Sequence, residues 1–111
     1  MTRGSSTREQ ALAAFRADGC GAPRSWANGA GDRYPLHQHD EHKVLFCLRG
    51  SVAFHTEAED HELTSGDRLD LPAGTAHSAT VGSDGCECIE AYRDRGRMWA
   101  RASHDPERPA R

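Results

Sequence analysis

The chain has 111 residues, enough for one compact domain and too few for two. Its net charge of -3 leaves no basic footprint for a nucleic-acid partner, and no stretch approaches the roughly 18 apolar residues of a membrane span. Leu, Ile, Val and Phe together number only fourteen against 11 glycines and 5 prolines, which predicts a thinly packed, turn-rich fold and a homodimer to support it.

The first ten residues carry arginines with no apolar run after them, so the expected location is the cytoplasm. Ser6 followed by Glu9 has the pattern of a capping box, and Ala11, Leu12, Ala14 and Phe15 follow at helical spacing. Gly19 and Gly21 end this element, which predicts one short helix over residues 7–18. After Pro23 the chain turns to short runs separated by Gly-, Pro- and Asp-rich clusters. The expected strands are 26–28, 43–48, 51–56, 61–63, 68–71, 77–81 and 86–92. Many short strands at this spacing argue for an antiparallel sandwich or barrel. Beyond Arg93 the sequence is arginine-rich and polar. The expected organisation is a helix and linker over 1–22, a β-barrel over 23–93 and a polar tail over 94–111.

The four cysteines, Cys20, Cys47, Cys86 and Cys88, are expected to be reduced in a cytoplasmic protein. Cys86 and Cys88 would point to one side of a strand, which suits barrel filling better than a bond between them. Trp26, Phe46, Phe54 and Tyr92 read as wall residues.

Three of the seven histidines fall within the run Leu36-His37-Gln38-His39-Asp40-Glu41-His42. In an extended segment His37 and His39 face the same side, so one strand can offer two imidazoles to one metal ion. A third ligand must come from elsewhere, and His77 follows a Pro-x-Gly turn that can bring it opposite the pair. His42 falls on the other face from His39, and His55, His61 and His104 are expected to be solvated.

The glycine and proline framework around these histidines is specific. Gly31, His37, His39, Lys43 and Gly50 are separated by five, one, three and six residues, and Gly66, Pro72, Gly74 and His77 by five, one and two. Fifteen residues, 51–65, lie between the two sets. In both motifs and in the gap between them the sequence resembles a small single-domain cupin over residues 26–92. The resemblance implies an all-β fold, a cupin-type antiparallel barrel or jelly roll, here with a short N-terminal helix. It also implies one divalent metal inside the barrel, with His37, His39 and His77 at ligand positions. The family's glutamate is replaced by Lys43, and the asparagine that often closes the second motif by Val81.

Lys43 is the only lysine in the chain. A protonated ammonium cannot ligate a metal and repels a divalent ion nearby. Three arrangements follow: a three-histidine site with Lys43 as acid/base or anion anchor; Lys43 turned outward to pair with Asp40 or Glu41; or a metal-free barrel that binds an anion directly. Three neutral imidazoles leave a bound ion its full charge, which favours an anionic or chelating small molecule and Lewis-acid chemistry. Candidate ions are zinc, iron, nickel, manganese and copper rather than magnesium or calcium. The expected function is a metal-dependent oxygenase, isomerase or lyase with Lys43 as the catalytic residue; the alternative is a non-catalytic ligand-binding or sensing barrel.

Overall fold

The structure is a computed structural model and describes residues 6–93. The expected polar tail over 94–111, with His104, lies outside the described residues. Helix α1, Thr7–Ala17, opens on the reciprocal cap its sequence announces. The Glu9 N–H donates to Ser6 Oγ at 3.0 Å, and the Ser6 N–H to Glu9 Oε1 at 3.3 Å. It closes in a Schellman arrangement: the Cys20 N–H donates to the Phe15 carbonyl (2.9 Å) and the Gly19 N–H to that of Arg16 (3.1 Å).

Six strands follow: β1 (Arg24–Asn28), β2 (Arg33–His37), β3 (His42–Thr56), β4 (Asp60–Thr64), β5 (Arg68–Leu71) and β6 (His77–Arg93). Every pairing between them is antiparallel. The expected strands 43–48 and 51–56 are the two halves of β3, and 77–81 and 86–92 are halves of β6. β3 and β6 run beside each other from His42↔Arg93 to Thr56↔His77, forming one long ribbon. In one half the ribbon is flanked by β5 and β1, in the other by β4 and β2. The result is two four-stranded halves of a jelly-roll barrel joined through the same two strands.

The ribbon bends where its register slips, between Cys47 and Arg49 and between Gly50 and Val52. Gly50 has φ 75°, and a Cβ there would stand 2.0 Å from the Gly85 carbonyl oxygen, so only glycine allows the two strands to meet at the corner.

Residues 43–47 are all buried, because both faces of this part of β3 are covered. Leu45 and Cys47 point into the barrel with Val52, Phe54, Leu69, Val81 and Cys88. Val44 and Phe46 point outward with Ile89 and Ala91, beneath Ala11 and Phe15 of α1. The Phe15 ring meets Phe46 edge-on at 5.7 Å. Strand β2 escapes the sequence reading because Pro35 and its polar neighbours obscure it. It is an edge strand paired only to β6, where proline is tolerated. Among the described residues no helix is long and apolar enough to cross a membrane.

Candidate metal centre

The fold of the β3–β6 ribbon brings its two ends together at one end of the barrel, the mouth. His77 begins β6 and pairs with Thr56 of β3 on one side and His37 of β2 on the other. His39 lies just past the end of β2. Its ring stands 5.4 Å from that of His77 and 5.6 Å from that of Tyr92, near the other end of β6. The His37 ring is 4.9 Å from His39 and 4.3 Å from His77. Each of the three offers one ring nitrogen, and these nitrogens lie within 4.8 Å of one another.

The imidazoles are oriented by the backbone. His37 Nδ1 lies 2.7 Å from the Pro35 carbonyl oxygen and His77 Nδ1 2.9 Å from that of Thr75. A carbonyl only accepts, so each Nδ1 carries a proton, which leaves Nε2 as the nitrogen available to a metal. His77 Nε2 is buried and makes no hydrogen bond within the protein. A buried acceptor aimed into a cluster of imidazoles fits a metal ion, since an orphaned polar atom is otherwise costly. Burial lowers the pKa of His77 against the raising effect of the Thr75 carbonyl, and His37 and Lys43 push it down further. The ring is therefore held neutral, as a ligand must be.

Lys43 points inward. Its Nζ lies 3.2 Å from Glu90 Oε1, with the two side chains 8% and 10% exposed. The ammonium also stands 5.8 Å from the centre of the Tyr92 ring. Of the three arrangements open for Lys43, outward pairing with Asp40 or Glu41 is not the one observed: both acids are exposed, and the partner is a buried carboxylate on the neighbouring strand. Trp26, read as plain wall, donates its Nε1–H to the same Glu90 oxygen at 2.9 Å. Glu90 was missed, although strand alternation from Cys86 and Cys88 puts it on the inner face, two positions from Tyr92.

The other described histidines, His42, His55 and His61, stay outside the cluster. His42 Nε2 pairs with Asp70 Oδ2 at 3.0 Å on the outer face. His55 is not simply solvated, since its two ring nitrogens meet Asp60 Oδ1 and Thr80 Oγ1, each at 3.0 Å. His61 lies 3.6 Å from Glu59. A surface groove lined by Leu36, His55, Ala76 and Ser78 contains the sequence neighbours of His37 and His77 but neither histidine. It therefore opens on the opposite face of the sheet from the cluster. All four cysteines are free thiols, and Cys47, Cys86 and Cys88 are buried as filling.

Residues 24–100 match the family model described as the AraC-like ligand binding domain. The chain belongs to this family of cupin-type barrels. Among solved structures, this cupin is similar to the DMSP lyase DddQ of Ruegeria pomeroyi, with TM-score 0.62, 27% identity, and coverage of 68% of this chain and 39% of that one. It also resembles an RmlC-like cupin of Shewanella frigidimarina, with TM-score 0.58, 19% identity and 68% coverage of each chain, a likeness of fold. In sequence it is 42% identical over 53 residues to quercetin 2,3-dioxygenase of Bacillus subtilis (strain 168), which is 47% of this chain and 16% of that enzyme. The chain thus spans well under half the length of either named enzyme.

Proposed function

We propose that this cupin is a metal-dependent enzyme acting on a small polar or anionic molecule by oxygenase, isomerase or lyase chemistry. The observation that carries the reading is the convergence of three ring nitrogens within 4.8 Å at the barrel mouth. His37, His39 and His77 would hold one divalent transition ion, zinc, iron, nickel, manganese or copper, which supplies Lewis-acid polarisation of a ligand atom. The remaining roles belong to the chain. Lys43 holds a cation and a proton at Nζ inside the barrel, where it binds and orients an anionic oxygen of the substrate. Tyr92, lying between His39 and Lys43, walls the mouth and limits water. Likeness to a dioxygenase in sequence and to a lyase in structure supports an enzymatic role. The second reading, a ligand-binding barrel without turnover, is supported by the description of the family itself.

The test loads metal-stripped protein with each of the five ions and follows oxygen uptake and product formation over a panel of small carboxylates and enolisable compounds. Turnover that disappears in His37→Ala/His77→Ala and falls at least about tenfold in Lys43→Met supports the enzyme. Ligand-induced thermal stabilisation without turnover under any loading would favour the binding barrel instead.

A further inference from the structure

Glu90 is tied to three strands. It belongs to β6, its Oε1 lies 3.2 Å from Lys43 Nζ of β3, and the same oxygen accepts the Trp26 Nε1–H of β1 at 2.9 Å. Two donors on one oxygen fix the carboxylate, and through it the end of an otherwise flexible lysine. Both side chains are nearly buried, so solvent screens their charges weakly. The pair reaches the histidine cluster through Tyr92, whose ring stands 5.8 Å from Lys43 Nζ and 5.6 Å from the His39 ring. Lys43 stands where the cupin pattern has a metal-binding glutamate, and alone it would set a full positive charge beside a site made of neutral imidazoles.

We propose that Glu90 is the positioning residue of the metal centre: fixed by Trp26, it anchors Lys43 in the barrel and cancels its charge, so that three neutral imidazoles can take a divalent cation. The carboxylate lost from the first motif is thus returned from β6, acting through the lysine rather than on the ion. This inference rests on the metal-centre reading above. It predicts that metal affinity follows the net charge of residues 43 and 90, whatever chemistry the site performs.

The experiment measures zinc affinity of the metal-stripped full chain by competition with a chromophoric chelator, in the wild type, Glu90→Gln, Lys43→Met and Lys43→Met/Glu90→Gln. The expected order is Lys43→Met tightest, wild type and double variant within about threefold of each other, and Glu90→Gln weaker than wild type by about tenfold or more. Lys43→Met should exceed the double variant by a similar factor, so the Glu90 charge is read even if Glu90→Gln alone does not fold. Equal affinities in the folded variants, with only their melting temperatures changed, would overturn the proposal and leave the pair a purely structural one. A wild type that binds no zinc, iron or nickel would remove the metal centre itself and the proposal with it.

Discussion

The two ends of the barrel interior are built on the same two strands and lined by residue types that both bind metals, yet they differ completely. At the corner of the β3–β6 ribbon Cys47 stands opposite Cys88, and Cys86 opposite Gly50. Burial pushes the Cys88 thiol far above its ordinary pKa, and the neighbouring Cys86 and Cys47 thiols add to the rise. Burial likewise raises Cys47 and Cys86, so this end is neutral packing. At the mouth, backbone carbonyls orient His37 and His77, and Lys43 meets Glu90. Ligand types alone therefore do not make a site; oriented lone pairs and compensated charge do.

Substitutions can break this contrast, and the largest effect is expected at the corner. Gly50→Ala forces a Cβ against the Gly85 carbonyl at a positive φ, and urea unfolding should show a loss of about 4 kcal/mol or no cooperative transition. At the mouth, Lys43→Met leaves Glu90 buried without its cation and is expected to lower stability by about 3 kcal/mol, most of it recovered in Lys43→Met/Glu90→Gln. Cys88→Ser places a hydroxyl among thiols and apolar groups. It should cost about 1–3 kcal/mol while leaving zinc affinity unchanged, which separates the two ends in one variant.

The smallest effect lies outside the barrel. Hydrogen bonds from Arg68 hold the Asp70 carboxyl below its ordinary 3.8, with burial opposing and His42 assisting. A depressed carboxylate contributes its stability above the unfolded value and loses it as pH falls through the folded one. Asp70→Asn should therefore be less stable than wild type at neutral pH by under about 1 kcal/mol. That difference should vanish on acidification below 3.8, as followed by thermal melts across pH.

The barrel and the clustering of its three histidines were legible because motif spacing encodes turns. Gly31, Gly50, Gly66 and Gly74 all adopt positive φ, and those turns bring His37, His39 and His77 together. The helix was equally plain from Ser6 and Glu9. The partner of Lys43 was less legible. Asp40 and Glu41 are its sequence neighbours, whereas Glu90 is reached only through the register that sets Leu45 opposite it. Trp26 was read by its apolar bulk, and its indole N–H found an acceptor only once β1 was paired to β6. Likewise β3 and β6 were each seen as two strands, because their corner glycines look like hairpin turns until the ribbon is continuous.

The most direct test of the account is a calorimetric titration of metal-stripped full chain with zinc, run beside His37→Ala/His77→Ala. One ion per chain is expected for the wild type and none for the double variant, with folding of both confirmed by circular dichroism. A wild type that takes up no ion, or a stoichiometry unaltered by removing two of the three imidazoles, would contradict it.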